Sequence, residues 1–319
     1  MSAVQLLCAA HSPLMVCYAR PPEAHDAIVD VFAERANTIA VFEPELVFVL
    51  GPDHFNGFFF KLVPSYCVGL ACEAVADIGG TPGRFDVPGE LSLECVKFLR
   101  QFGSDVAVSY EMTVDHGFSQ TMSRVLGDLA RYPVIPIFVN AIMPPYLPFK
   151  RSRALGMALG EFIKTLNKRV LVVASGGMSH NPTRYYPAYG TAEKEVTAWQ
   201  LGGQGGNGIG QQQWLDKLKQ MHQDGAQMLV SGQRTRADIK LNPEVDRRFL
   251  DIVTSETLGD VDDWDAEDIV EQAGIGWMEM HTWVAACAAN ETAGGGVPQV
   301  DIYAETLEYG IATGIIHAT

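Results

Sequence analysis

Short apolar runs alternate with longer stretches of helical periodicity along this chain, the signature of an α/β fold. Runs at 4–10, 45–51, 106–110, 134–140 and 169–175 predict strands, and 22–42, 88–102, 117–129 and 150–166 predict helices. Pro22 and Pro88 stand where a helix start tolerates proline. Residues 58–70 predict a further strand after the turn Pro52-Asp-His-Phe-Asn-Gly. Beyond Pro182 the character changes. The glycine- and glutamine-rich stretch 202–213 predicts a mobile surface loop. It is followed by helices at 214–230, 243–253 and 264–274, a more apolar helix at 277–290, and a strand within 299–317. The expected architecture is one catalytic α/β domain over 1–319. Its layered sheet, mixed or largely parallel, carries helices on both faces and the active site at the strands' C-terminal edge, with a variable helical segment at about 183–263.

A chain of 319 residues, 47% of them hydrophobic, can bury a large core. Its 23 basic and 38 acidic residues leave a net charge of −15, so nucleic acid and an anionic membrane are excluded as main partners by repulsion. A small anion can still bind, but only where an Arg or Lys is placed locally. The N-terminus has no basic region ahead of its apolar run, and no stretch reaches the roughly 18 apolar residues of a spanning helix. A soluble, cytoplasmic homo-oligomer is expected. Cysteines 8, 17, 67, 72, 95 and 287 form no C-x-x-C pair and read as reduced thiols.

Histidine placement carries the chemistry. Four of the eight lie just past a predicted strand: His11, His54, His116 and His180. Were these strands parallel, all four would converge on one sheet edge, where ligands bind in open α/β sheets. A lone loop histidine is usually a solvated or capping side chain, but four at equivalent positions point to a histidine-built site. Asp53 and Asp115 each put a carboxylate beside an imidazole, able to orient its ring, although Asp115 also suits the cap of the next helix. The turn Ser175-Gly-Gly-Met-Ser-His180 would let backbone approach a ligand closely. It lacks P-loop and G-x-G-x-x-G spacing, and no G-x-S-x-G elbow is present. Glu279 is the only charged residue between Trp277 and Ala289. Such a carboxylate is either at an exposed edge or buried with a partner, and a metal is a suitable one.

At these residues the chain resembles the class III (LigB-type) extradiol catechol dioxygenases, in particular the single-subunit members. The matching segments are His11-Ser-Pro-Leu, Gly51-Pro-Asp-His-Phe-Asn-Gly-Phe-Phe, Val108-Ser-Tyr, Val114-Asp-His-Gly-Phe, Thr165-Leu-Asn-Lys-Arg-Val, Ser175-Gly-Gly-Met-Ser-His-Asn-Pro and Glu279-Met-His-Thr-Trp-Val-Ala-Ala. The resemblance is dense over 4–182, weak over about 183–263, and resumes through Ala289; the glycine-glutamine stretch departs from it. It implies Fe(II) held by His11, His54 and Glu279, the facial triad of two histidines and a carboxylate. His116 and His180 would then be the catalytic, non-ligating pair. The implied substrates are a catechol and O2, with both oxygen atoms inserted to give a 2-hydroxymuconic-semialdehyde-type product. His180 is the expected base and His116 the expected acid, an order the resemblance leaves reversible. Two other readings compete: a zinc hydrolase on the same ligands, and a non-catalytic binding subunit. For an anionic substituent on the catechol, Arg184, Arg151, Lys150 and Arg234 stand as unranked candidates.

Overall fold

A computed structural model describes residues 3–203, 209–255 and 257–319. In chain order its elements are β1 (Ala3–Ala9), α1 (Leu14–Cys17), α2 (His25–Phe42), β2 (Leu46–Gly51), β3 (Tyr66–Gly69), β4 (Cys72–Ala74), β5 (Gly83–Arg84), α3 (Gly89–Gln101), β6 (Ala107–Ser109), β7 (Met112–Val114), α4 (His116–Leu126), β8 (Val134–Val139), α5 (Phe149–Leu166), β9 (Arg169–Ser175), α6 (Lys194–Gly202), α7 (Gln211–Ser231), α8 (Arg236–Ile239), α9 (Pro243–Val253), α10 (Ala266–Ala273), α11 (Met280–Ala293), β10 (Gln299–Thr306) and β11 (Ile311–Ala318).

The main sheet has eight strands in the order β10-β11-β1-β9-β2-β8-β3-β6. Its centre, β1-β9-β2-β8, is parallel, while β11 and β3 run antiparallel against its two flanks. The sheet is therefore mixed. Every residue of β2 and β8 is buried, as is β9 after Arg169, which requires cover on both faces. Helix α5 packs on α11, which lies against β1, β2 and β9, and α2 packs with α4, which lies on β2 and β9. Register sets the site: Ala9 pairs with Ser175, and Leu50 with Ala174, so β1, β9 and β2 end level.

The sequence expectations fail in four places. His116 does not follow a strand of the parallel set. The predicted strand at 106–110 forms β6, parallel to β3 and so opposed to the centre. The chain then turns through Tyr110 into β7 of a separate sheet, β5-β4-β7, and reaches His116 from there. Of the predicted strand at 58–70, only Tyr66–Gly69 joins the main sheet. The glycine-glutamine stretch is mostly not loop where it is described: Gly202 ends α6, and Gln211 to Gln213 open α7, where Gln213 Oε1 accepts the Gly210 N–H. Residues 204–208 lie outside the described residues. The tail supplies two strands instead of one. Among the described residues all six cysteines are free, and no helix is long and apolar enough to cross a membrane.

Candidate active site

The level ends of β1, β9 and β2 deliver His11, His180 and His54 to one edge, and α4 brings His116 beneath them. His54 leaves β2 through a turn that Asp53 organises, its carboxylate accepting the backbone N–H groups of Asn56, Gly57 and Phe58 at 3.0 to 3.2 Å. The next residue, Phe55, has φ +63°, a left-handed conformation that a bulky side chain takes only when its surroundings impose it. Glu279 ends the 3-10 turn Ile275–Glu279 and starts α11, fully buried. Its burial answers the choice left open by the sequence. Aromatic packing fixes that turn: Trp277 lies 5.4 Å from Trp264 and 5.3 Å from Phe249.

Each histidine has one ring nitrogen committed elsewhere. His11 Nδ1 is hydrogen-bonded to Ser175 Oγ at 2.9 Å, and His54 Nδ1 lies 3.3 Å from Asp115 Oδ1, whose other oxygen accepts the His54 backbone N–H at 2.6 Å. The remaining nitrogens of both rings face Glu279: His11 Nε2 is 3.5 Å from Oε2 and His54 Nε2 is 3.4 Å from Oε1. Donors sharing a cation at about 2.1 Å in adjacent octahedral positions lie about 3 Å apart, so this spacing suits a divalent ion. Histidines backed through Nδ1 and pointing Nε2 inward are the usual form of such ligands.

A second grouping is close. By mutual distance, the groups that bring one donor each to within 4.8 Å of one another are His11, His54 and His116, and Asp77, Asp115 and His116. Ring orientation decides between them. His11 stands edge-on to His54 at 87°, so their in-plane lone pairs can meet at a point. His116 is stacked on His54, 4.2 Å away at 20°, and lone pairs in nearly parallel planes cannot converge on one ion. His116 therefore fits beside a cation bound by His54 and not on it.

Electrostatics agree with a cation. Burial opposes charge on His54, but Asp115 and Glu279 face it and raise its ring well above 6.5. Burial holds His11 down at about 3 despite Glu279, and it raises Glu279 less than His11, His54 and His180 lower it, to about 2. The acidic wall thus places anionic charge where positive charge is stabilised.

The two other histidines are held differently. His116 Nδ1 sits 2.5 Å from Asp77 Oδ2, and its backbone N–H donates to Asp77 Oδ1 at 3.0 Å. Burial and the neighbouring His54 keep its ring low, at about 3. His180 Nδ1–H donates to the Met178 carbonyl at 2.7 Å, leaving the Nε2 lone pair 3.7 Å from Glu279 Oε1, and burial lowers its pKa. Gly276 is required against that ring, since a Cβ there would overlap it.

Several contributors escaped the sequence reading. Asp115 orients His54, not the adjacent His116, while also capping α4 through Gly117 N–H at 2.8 Å. The Gly176-Gly177 turn meets Glu279: Gly177 N–H donates to Glu279 Oε2 at 2.6 Å. Asp77 has no sequence signal beyond its short loop. Asp246, buried on α9, accepts from Ser179 N–H at 3.0 Å, Ser179 Oγ–H at 2.5 Å, Trp277 Nε1–H at 3.0 Å and Tyr303 Oη–H at 2.9 Å. It ties the segments carrying His180 and Glu279 to one point.

These side chains open into a pocket roofed by Tyr185, Tyr186, His222, Arg234 and Ile239.

A family model described as the catalytic LigB subunit of aromatic ring-opening dioxygenase matches residues 5–315. A 2,3-dihydroxyphenylpropionate/2,3-dihydroxicinnamic acid 1,2-dioxygenase of Mycolicibacterium gilvum is 39% identical over 302 residues, covering 90% of this chain and 89% of that one. Proteins of the same description from Pseudomonas putida and Dechloromonas aromatica are 38% and 36% identical, the latter over 98% of this chain and 96% of its own. The crystal structure of an uncharacterised Escherichia coli K12 protein shares the fold, with a TM-score of 0.52 at 11% identity over 99% of both chains.

Proposed function

Because the chain belongs to the LigB family of aromatic ring-opening dioxygenases, we propose that it uses ferrous iron to cleave a catechol with O2 beside its diol. His11, His54 and Glu279 would hold the iron; His180 and His116 would handle protons. One observation carries the ligand assignment: the perpendicular rings of His11 and His54, both backed through Nδ1, both presenting Nε2 to Glu279. Residues 1–319 would form one catalytic unit, with the helices of about 183–263 as its cover.

Bound iron supplies the one-electron chemistry with O2 that side chains lack. The chain's own work is proton handling and placement. A catechol loses protons as its two oxygens chelate, and His180 suits the base because it stands neutral with Nε2 free. His116 suits the acid that returns a proton to a substrate oxygen as the ring opens. Its backing group is a carboxylate, and Asp77 stabilises the imidazolium whenever His116 holds a proton. This difference in backing favours His180 as base and His116 as acid over the reverse order.

The test is oxygen uptake by protein loaded separately with Fe(II) and Zn(II) and supplied with catechols. The reading requires uptake and a yellow ring-opened product with iron alone. Hydrolytic activity with zinc, and no uptake with iron, would replace it.

A further inference from the structure

The pocket has a second polar end, opposite in character to its floor. Of the cationic candidates Arg184, Arg151, Lys150 and Arg234, the first three are exposed. Arg234 alone enters the pocket wall, 8% exposed. Gly232, at φ +76°, ends α7, and Arg234 N–H then caps the Met228 carbonyl at 3.0 Å, which turns the side chain inward. Its Nη1–H donates to Tyr185 Oη at 3.0 Å. Among the described residues no carboxylate lies within 4.0 Å of this guanidinium. Arg35, equally buried, does have one, with Asp301 Oδ2 at 3.7 Å.

A buried guanidinium carries five donors and a full charge, and a neutral phenol satisfies little of either. Two further groups on the same wall also lack partners. His222 donates Nδ1–H to the Leu218 carbonyl at 2.8 Å, leaving Nε2 unpaired, and the Tyr186 hydroxyl is unpaired as well. Tyr185 packs on α7, its ring stacked on His222 at 3.8 Å and its phenol against Gly225, where a Cβ would overlap it. The guanidinium is thus held in place by a rigid neighbour. The floor, by contrast, carries Glu279 and Asp115, whose charges repel an anion.

We propose that Arg234, braced by Tyr185, is the binding site for a carboxylate on the side chain of the catechol. This rests on the catechol reading above. The two ends then set the substrate's direction, with its hydroxyls toward the histidines and its carboxylate paired in a fork with Arg234.

Two measurements on wild type, Arg234→Gln and Arg184→Gln test it. In the first, kcat and KM are compared for 3-(2,3-dihydroxyphenyl)propionate and 3-propylcatechol. Removing one partner of a buried charge pair typically costs 2–5 kcal/mol, so Arg234→Gln should lower the acid-over-propyl ratio of kcat/KM at least about thirtyfold, chiefly through KM. Arg184→Gln should leave that ratio within about twofold. In the second, 3-phenylpropionate and 3-phenylpropanol, which carry no diol, are titrated into the metal-free proteins by calorimetry. Arg234→Gln should weaken binding of the acid and not of the alcohol. If wild type cleaves both catechols and Arg234→Gln leaves the ratio intact, the Arg234 assignment is overturned while the catechol reading stands. If wild type cleaves neither yet binds phenylpropionate through Arg234, the anion site stands and the catechol reading falls. Should Arg234→Gln fail to fold, Arg234→Lys keeps the charge without the fork, and an unchanged ratio there and in Tyr185→Phe overturns the proposal.

Discussion

At the sheet edge every histidine has one nitrogen engaged: His11 by Ser175, His54 by Asp115, His116 by Asp77 and His180 by the Met178 carbonyl. In the helical cover, His222 Nε2 and the Tyr186 hydroxyl have no partner among the described residues, and Arg234 faces a phenol where a carboxylate would be expected. The floor is preset, so its donors keep their orientation without help from a ligand. The cover holds its polar groups in reserve, and a buried group left unpaired costs about 1–3 kcal/mol, which a suitable ligand recovers. On the proposed reading, chemistry therefore belongs to the floor and selectivity to the cover. Changes in the two regions should separate cleanly in experiment.

The largest effect should come from the floor. His11→Ala, His54→Ala and Glu279→Ala should each abolish tight iron binding and turnover, measured as metal content after loading and gel filtration. Full iron retention in Glu279→Ala would sink that ligand, leaving the stacked His116 or Asp115 to be reconsidered.

Next in size are the proton carriers, which should lose catalysis and keep the metal. His116→Ala and His180→Ala should each fall about 10²–10⁴-fold. They differ before oxygen is admitted. The anaerobic ultraviolet difference spectrum of bound catechol should show less deprotonation in His180→Ala alone. Asp77→Asn should behave as a milder His116→Ala, normal anaerobically and slow afterwards, because it removes the carboxylate that backs the imidazolium. Identical anaerobic spectra in both histidine variants and wild type would show that neither is the activating base.

Much of the floor was readable in the sequence because its signals are local. Apolar runs that stop at His11, His54 and His180 are visible one strand at a time, and a lone acid in an apolar helix marked Glu279. What backs these residues was not readable, since Asp77 reaches His116 across 39 positions and Asp115 reaches His54 across 61. His116 was placed at the right edge for the wrong reason: alternation reveals a strand but not its direction, and β6 runs opposite to the centre. In the cover, one signal went unused. Trp214, Leu218, His222, Ala226 and Leu229 follow helical spacing on the buried side of α7, so His222 occupies a core-facing position where a polar residue asks for a reason.

A smaller effect belongs to pH. In metal-free protein His54 should carry a proton at neutral pH, since Asp115 and Glu279 raise its pKa against the opposing effect of burial. Metal must displace that proton. Below the raised pKa, apparent affinity should climb with pH by up to about tenfold per unit, and it should level off above it. Replacing Asp115 with Asn removes one raising charge, so the plateau should begin at lower pH. Metal titrations at a series of pH values read this directly, and an affinity flat across the neutral range would show that no proton resides there.

The smallest effect tests whether the cover can be altered without touching the floor. Gly225 faces Tyr185 so closely that Gly225→Ala must move the phenol, and among the described residues the phenol is the only group to which the Arg234 guanidinium is seen to donate. His222 of the same helix stacks on this ring at 3.8 Å, so the shift must disturb that contact as well. Arg234 keeps its charge but loses its brace, which should cost several-fold in KM for a carboxylated catechol, well short of the loss in Arg234→Gln. Iron content and the anaerobic spectrum should stay at wild-type values, because no ligand or proton carrier on the floor contacts Gly225. If kcat/KM for acid and neutral catechols fell in step, α7 packing would be supporting the whole site, and the division between a preset floor and a selective cover would have to be abandoned.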